Sequence, residues 1–149
     1  MKLTDYTDYT LRALIYLGLH RDELVTIQQI AEGYGISKNH LMKIINRLSQ
    51  DGLIEAVRGR SGGVRLRKRP EHIRIGAVVR ASEQDFTLVE CFDKANNRCV
   101  LSPACRLQRA LREALEAFFK VLDELTLADI LHNADQVRPL VRLHLQALE

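Results

Sequence analysis

The residues best suited to inorganic chemistry are three cysteines, which are the only cysteines in this 149-residue chain. They are Cys91, Cys99 and Cys105, with seven residues between the first two and five between the last two. Cysteine thiolates bind zinc and iron–sulfur clusters, whereas an odd number of cysteines does not suit a disulfide framework. Structural zinc sites use four protein ligands and shorter gaps between cysteines. The spacing therefore favours an iron–sulfur cluster held by three thiolates.

Two other interpretations of these cysteines remain open from the spacing alone. They could be three reduced, buried thiols, or they could form a thiol switch that works through one disulfide. A zinc-binding or electron-transfer module with an incidental basic face is a further alternative from another class of protein. A ferredoxin would normally supply four cysteines per cluster, which makes that alternative a poor fit.

Charge is distributed unevenly along the chain, whose formal net charge is +3. Residues 1–82 carry 14 Lys and Arg against 8 Asp and Glu, a net of +6, and residues 83–149 carry 8 against 11, a net of −3. A basic amino-terminal half suits a polyanionic partner such as nucleic acid. No apolar run approaches the roughly 18 residues of a membrane span, and the first residues lack a signal peptide's apolar core, so we expect a cytoplasmic protein. The sequence contains no nucleophile–base pair or phosphate loop, so we expect no enzyme.

Residues 1–82 are predicted to form a winged helix-turn-helix DNA-binding domain. A first helix over residues 4–20 is followed by a second that starts at Thr26, whose spacing from Gln29 matches a capping box. A glycine-bearing turn over residues 33–36 leads to a third helix, which Ser37 caps and which ends near residue 50. The third helix has its apolar residues at intervals of three and four, so its opposite face is free to enter a major groove.

The residues expected to contact DNA lie on this third helix and on the hairpin that follows it. The helix offers long donors and amide groups to base edges and phosphates, namely Lys38, Asn39, His40, Lys43, Asn46 and Arg47. Two short strands, over residues 53–57 and 64–67, flank a glycine-rich tip that carries Arg58, Arg60, Ser61 and Gly62. The tip is predicted to enter a minor groove, while the helix amino termini at Thr26 and Ser37 hold phosphates.

The carboxyl-terminal half is predicted to hold the cluster and to form a homodimer. A cluster-binding loop covers residues 83–106, a dimerisation helix and a following short helix cover residues 103–132, and a tail covers residues 133–149. The long helix is predicted to start with Pro103 at its first position and Cys105 in its first turn. Its coiled-coil-like seam consists of Leu107, Leu111, Ala114, Phe118, Val121 and Leu125. The expected fold is therefore mainly α with a small β-wing, assembled as a homodimer on palindromic double-stranded DNA.

Three segments of the chain resemble one known family. Residues 3–14, the wing residues 57–63 and the Pro-Ala-Cys of residues 103–105, after two earlier cysteines, resemble the winged-helix iron–sulfur transcriptional regulators that include IscR. Residues 37–46, 73–76, 102–107 and 126–129 are most similar to the nitric-oxide-sensing repressors of that family. The resemblance covers nearly the whole chain. It implies a dimeric repressor that releases DNA when nitric oxide destroys its cluster.

The resemblance also implies a ligand set. IscR-like members have a histidine ligand three residues after the third cysteine, where this chain has Gln108, and their first two cysteines are closer together. Some nitric-oxide-sensing members use an aspartate of the first helix of the partner subunit, and the matching residue here is Asp8. The resemblance thus implies one cluster per subunit, of the 4Fe–4S type, with Asp8 as its fourth ligand and Arg12 supporting the site. A surface ion pair between Asp8 and Arg12 is the alternative, and iron, cluster-status or redox sensing is the alternative to nitric oxide.

Overall fold

The computed structural model describes the backbone of residues 2–146 and the side chains of residues 2–141. In this part of the chain the protein is mainly helical, with one two-stranded antiparallel sheet, which confirms the predicted fold class. The elements in order are α1 (Asp5–Leu19), α2 (Ile27–Tyr34), α3 (Lys38–Gln50), β1 (Ile54–Val57), β2 (Gly63–Leu66), α4 (Ile75–Ser82), α5 (Arg106–Glu124), α6 (Leu127–Ile130) and α7 (Ala134–Gln146). The described residues include no helix long and apolar enough to span a membrane.

The helix-turn-helix is stabilised by hydrogen-bonded caps at the ends of α2 and by a stripe of buried apolar side chains on α3. The Thr26 hydroxyl accepts from the Gln29 amide at 3.1 Å and the Gln29 side chain accepts from the Thr26 amide at 2.8 Å, which confirms the capping box. Gly35 ends α2 with φ of +63°, a left-handed conformation that costs glycine little. The inner face of α3 then packs into the core through Leu41, Ile44, Ile45 and Leu48.

The wing is anchored to the helix-turn-helix by a backbone contact that the sequence pattern did not reveal. β1 and β2 pair in an antiparallel register that places Ile54 opposite Leu66. The first strand begins one residue later than predicted, and the second strand ends one residue earlier than predicted. Val25, just before α2, exchanges two backbone hydrogen bonds with Val64 at 2.8 and 3.0 Å. A Cβ atom at Gly62 would collide with the Val57 carbonyl oxygen, so this position of the tip requires glycine.

The predicted start of the long helix is wrong by three residues. Pro103 lies in a separate 3₁₀ turn, Ser102–Ala104, and α5 begins at Arg106. Cys105 has an extended backbone (φ −75°, ψ 111°), which places it at the N-cap of α5 and not in the first turn. The Cys105 sulfur, and not a proline, therefore marks the beginning of the helix.

The carboxyl-terminal helices return to the amino-terminal domain. The Ile75 amide donates to the Leu125 carbonyl at 3.0 Å, and the Leu127 amide donates to the Ile73 carbonyl at 2.8 Å. Helix α7 packs against α2 and buries Val141. In the predicted tail, the side chain of Leu145 and all of Leu148 lie outside the described residues.

Candidate nucleic-acid interface and metal centre

The outward face of α3 is a predominantly polar surface. All of the side chains predicted to meet DNA here are exposed: Lys38, Asn39, His40, Lys43, Asn46 and Arg47. Their backbones are fixed by the buried opposite face of the same helix, so the geometry of the surface is set by the core. Such a rigid, donor-rich helix face matches the requirements of a major-groove reader.

Arg47 differs from the other residues of this face because it has an internal partner. Its Nε atom donates to the Asp51 carboxylate at 3.0 Å, one helical turn away. This pair neutralises part of its charge and directs the guanidinium toward the carboxyl end of α3. His40 lies near Tyr9, with the ring centroids 6.3 Å apart.

The two helix amino termini predicted to hold phosphates are in different states. At Thr26 the hydroxyl group is occupied by the capping box with Gln29. Ser37 stands at the N-cap of α3 as predicted, but its side chain makes no capping hydrogen bond. The first amides of α3 are therefore left without a side-chain acceptor, which makes Ser37 the better of the two phosphate sites.

The arginines of the wing fall into two groups. Arg65 pairs with Glu55 on the neighbouring strand at 2.5 Å, and Arg69 approaches Glu71 at 3.5 Å. The tip arginines, Arg58 and Arg60, are exposed, and neither has a carboxylate partner within 4.0 Å among the described side chains. Ser61 is also exposed and Gly62 is half-buried. The two tip arginines are thus available to an anionic partner, and so is Arg67 after β2, which is exposed and has no carboxylate partner among the described side chains either.

The cysteine loop, residues 83–105, is held by hydrogen bonds between residues next to the thiols. Glu90, which precedes the first cysteine, accepts from the amide of Arg98 at 2.6 Å, and Arg98 precedes the second. The side-chain oxygen of Asn97 accepts from the Cys99 amide at 3.0 Å. The first of these bonds joins the residues that precede Cys91 and Cys99, and the second fixes the local turn before Cys99.

Gln108 connects the first and third cysteines, a role that the sequence pattern did not indicate. Its backbone amide donates to the Cys105 sulfur at 3.4 Å, which is the N-cap hydrogen bond of α5. Its side-chain amide donates to the Cys91 carbonyl at 3.1 Å. The signal that could have been used is the three-residue spacing between Cys105 and Gln108, which is the spacing of an N-cap and its N3 residue.

The three thiols are free and half-buried. Among the described residues, no three His, Cys, Asp or Glu side chains are close enough to hold a single metal ion. In a 4Fe–4S cluster each thiolate binds a different iron atom, so the sulfurs stand farther apart than around one ion. Three free thiols on one hydrogen-bonded loop, with no histidine between them, are therefore a suitable donor set for an iron–sulfur cluster.

Asp8 and Arg12 form the ion pair that the sequence left as an alternative. One carboxylate oxygen of Asp8 lies 2.8 Å from an Nη atom of Arg12, and the other accepts from Nε at 3.2 Å. Both side chains are close to half exposed, on the outer side of α1. The carboxylate is therefore accessible and oriented by the guanidinium in the single chain.

Helix α5 has no buried residue, although it is 19 residues long. Its predicted seam contains Leu107 and Val121, which are 66% and 59% exposed, and the remaining seam residues are exposed or half-buried. One side of the helix does contact α4, where Arg80 forms a two-pronged ion pair with Asp123 and lies 4.1 Å from the Phe119 ring. That pair raises the pKa of Arg80 and lowers the pKa of Asp123.

Comparison with known proteins assigns the chain to a family. The Rrf2 family model, described as iron-dependent transcriptional regulators, matches residues 3–133. Because the family consists of transcriptional regulators, this match also confirms that the chain is not an enzyme.

Individual relatives agree with this match. The HTH-type transcriptional regulator NsrR of Bacillus subtilis strain 168 is 55% identical over 144 residues, which cover 96% of this chain and 99% of the relative. The NsrR of Geobacillus kaustophilus is 52% identical over 143 residues, 95% of this chain and 97% of the relative.

Solved structures extend the agreement to the fold. The IscR of T. potens superposes with a TM-score of 0.73 at 26% sequence identity. The superposition covers 92% of this chain and 90% of the IscR chain. The oxidised form of Staphylococcus aureus CymR gives a TM-score of 0.70 at 26% sequence identity. Here the superposition covers 89% of this chain and 97% of the CymR chain. The chain therefore belongs to the Rrf2 family, as its cysteine and wing segments predicted.

Proposed function

We propose that this protein is a homodimeric, DNA-binding repressor whose operator affinity depends on an iron–sulfur cluster sensitive to nitric oxide. The observation that carries the proposal is the cysteine loop, which contains three free thiols on a backbone held by hydrogen bonds and leads directly into α5, the helix that contacts α4. The near full-length similarity to proteins named NsrR supports the same function.

The DNA-contacting part consists of the α3 face and the wing tip. Lys38, Asn39, His40, Lys43 and Asn46 would enter the major groove, and the Ser37 amino terminus would hold a phosphate. Arg58, Arg60, Ser61 and Gly62 would lie against a minor groove, where the negative potential favours arginine. Thr26 and Arg47 would contribute less, because a capping box and an ion pair already occupy their side chains.

Two copies of α5 would form the dimer interface. The exposed apolar side chains of its seam leave a long surface uncovered in the single chain. Burial of such a surface against its own copy releases water and is favourable at about 25 cal/mol per Å². The two-fold symmetry of the dimer would match a palindromic operator.

We assign the cluster to Cys91, Cys99 and Cys105, with Asp8 of the partner subunit as the fourth ligand and a 4Fe–4S type with one cluster per subunit. When bound, the cluster supplies iron atoms that nitric oxide can attack. Gln108 and Asn97 orient the loop backbone around the thiols through their hydrogen bonds. Arg12 holds the Asp8 carboxylate in position through their ion pair.

The route from the loop to the DNA-binding domain runs through the contact between α4 and α5. Phe86 of the cysteine loop packs edge-on against Phe119 of α5, with the ring centroids 4.7 Å apart. Phe119 in turn contacts Arg80 of α4, which Asp123 holds by its carboxylate. A change in the loop would shift this contact and with it the spacing of the two DNA-binding domains. A reading helix displaced by a few ångströms no longer fits its groove.

Titration with nitric oxide tests this proposal directly. Protein purified without oxygen should show the visible absorption of an iron–sulfur cluster, and adding nitric oxide should bleach it and release the operator in parallel. The Cys91→Ser variant should lack the absorption and should not respond to nitric oxide. Tight operator binding that persists after complete bleaching would contradict the proposal.

The fourth ligand has its own test with a matched control. Asp8→Ala should change the cluster spectrum and accelerate cluster loss, because it removes an accessible carboxylate. Asp5→Ala removes another carboxylate of the same helical turn, which pairs with Lys2 and should leave the spectrum unchanged. If both variants keep the wild-type spectrum and stability, Asp8 is not a ligand.

Sensing of iron supply is the second candidate, favoured by the family description as iron-dependent. Under this alternative, removal of iron by a chelator would release the operator at the same rate as it bleaches the cluster. Nitric oxide at stoichiometric amounts would then have no larger effect than the chelator. A faster and complete response to nitric oxide would favour the first candidate.

A further inference from the structure

One apolar side chain interrupts the polar face of α3. Met42 is 44% exposed, although Leu41, Ile44 and Ile45 beside it in the sequence are buried. Its neighbours on the outer face are Asn39, three residues before it, and Asn46, four residues after it. Residues at these spacings are adjacent on a helix surface.

The exposed large apolar side chains of residues 2–82 lie on the two elements that would contact DNA. Among the described side chains of residues 2–82, the exposed large hydrophobic residues are Met42 on α3 and Val57 at the end of β1. All other large apolar side chains of this domain are buried or half-buried. An isolated exposed apolar residue is ordinary on a protein surface, but its restriction to these two positions indicates a ligand that offers apolar groups.

We infer that Met42 is a specificity-determining residue that contacts the C5-methyl group of a thymine in the operator. This inference rests on the proposed DNA-binding function and goes beyond it by naming a base group. The thymine methyl is the one apolar group that base pairs present in the major groove. A flexible thioether side chain suits it because methionine adapts its shape to irregular apolar surfaces.

The neighbours of Met42 favour the same base pair. Asparagine side chains pair in a bidentate manner with adenine in the major groove, and Asn39 and Asn46 are placed one turn to either side of Met42. An adenine on one strand brings a thymine on the other. The three side chains therefore form one surface suited to A·T pairs.

Replacement of thymine by deoxyuridine tests this contact, because it removes the methyl group and leaves every hydrogen bond of the base pair intact. An operator is first selected from a random DNA pool with protein purified without oxygen, and each thymine is then replaced in turn. For wild-type protein we expect a loss of roughly fourfold in affinity at the contacted thymine. Met42→Ala should bind the unmodified operator with a similar loss and should show no further loss with deoxyuridine.

Val57→Ala is the matched control, since Val57 is the other exposed apolar residue of the domain and belongs to the wing. The minor groove carries no methyl group, so this variant should lose the same factor as wild type when thymine is replaced by deoxyuridine. Met42 is exposed, so its replacement by alanine, a good helix former, should leave the far-ultraviolet circular dichroism unchanged.

Two results would overturn the inference and can be told apart. In the first, an operator is selected, but no replacement of thymine by deoxyuridine lowers the affinity of wild type more than that of Met42→Ala. The thymine contact is then wrong, and the proposed function is unaffected. If no operator is enriched from the pool, the proposed function fails and the inference fails with it.

Discussion

Residues 2–82 bury their apolar side chains within the chain itself, whereas residues 83–126 have no buried side chain. Leu14 of α1 is completely buried, but Leu107 and Val121 of α5 are more than half exposed. Residues 2–82, joined by Leu127 and Val141, thus form a complete core within the single chain, whereas the cysteine loop and α5 do not. The second region therefore depends on something outside the chain, which we propose to be a second subunit and a bound cluster.

The largest effect is expected from a cavity in the complete region. Leu14→Ala should lower the free energy of unfolding by roughly 2–5 kcal/mol, because it removes a fully buried side chain. Denaturation by urea, followed by circular dichroism, measures this change. The same substitution at Leu140, which is 64% exposed, should change the free energy of unfolding by less than about 0.5 kcal/mol. Similar losses in both variants would contradict the difference in burial between these two side chains.

Placing a charge in the incomplete region should break the assembly and leave the fold intact. Val121→Asp should weaken dimerisation on the order of 100-fold, because an unpaired carboxylate would be buried between two copies of α5. Sedimentation at several protein concentrations measures the dimer affinity. Val57→Asp carries the same change on the wing and should remain a dimer. A dimer that survives Val121→Asp would place the interface elsewhere.

Substitutions at the N-cap residues of α2 and α3 should have different effects: one on the stability of the fold and the other on DNA binding. Thr26→Ala should lower the free energy of unfolding by about 1 kcal/mol, because it removes the capping box. Ser37→Ala should leave stability nearly unchanged, since this side chain makes no cap bond, but should weaken operator binding. Urea denaturation and a DNA-binding titration on both variants measure the two effects. Equal losses of stability would show that Ser37 does cap α3.

The smallest effect concerns the contact that joins the two regions at their boundary. Glu83 accepts from the Thr4 amide at 2.9 Å and from the Thr4 hydroxyl at 3.1 Å. Partial burial works to raise the pKa of Glu83, but hydrogen bonds, led by that from the Thr4 amide, outweigh it and hold the pKa below its ordinary value. A carboxyl group with a lowered folded-state pKa stabilises the protein above its ordinary pKa of 4.5. That stabilisation is lost as the pH falls through the lowered value.

Wild type should therefore be slightly more stable than Glu83→Gln at pH 7, and the difference should shrink as the pH falls below about 4. Urea midpoints of both proteins between pH 3 and pH 7 measure this dependence. A difference that stays constant over this range would mean that the charge of Glu83 does not contribute.

Much of the DNA-binding domain could be predicted because its signals are local. The Thr26 capping box and the apolar stripe of α3 involve residues three or four positions apart, so the sequence contains the whole interaction. The wing could be predicted from the sequence pattern of two short strands on either side of a glycine-rich tip. The errors in this region also have a physical origin. Ser37 has the residue type of a cap, but whether its hydroxyl bonds to the helix depends on its side-chain rotamer.

The candidate site was predictable in its residues and not in its arrangement. Residue type and number pointed to the three cysteines, and the resemblance pointed to Asp8. The hydrogen bond from Gln108 to the Cys91 carbonyl spans 17 residues, and that from Thr4 to Glu83 spans 79. No local pattern encodes such contacts, because they form only after separate elements have packed.

The Thr26 capping box, the buried stripe of α3, the basic wing and the three thiols follow from the sequence alone, since each depends on residue type and short spacing. Three features became visible only in the folded chain: Cys105 is an N-cap, Val25 extends the wing, and Arg80 joins α4 to α5. The same packing left α5 without a buried side chain. The physical reason is that burial is a property of the assembled surface. Leucines that recur at intervals of three or four residues are buried in α3, because other elements pack against that face of the helix. Leucines at the same intervals in α5 are exposed or half-buried, because that face has no such neighbours in the single chain.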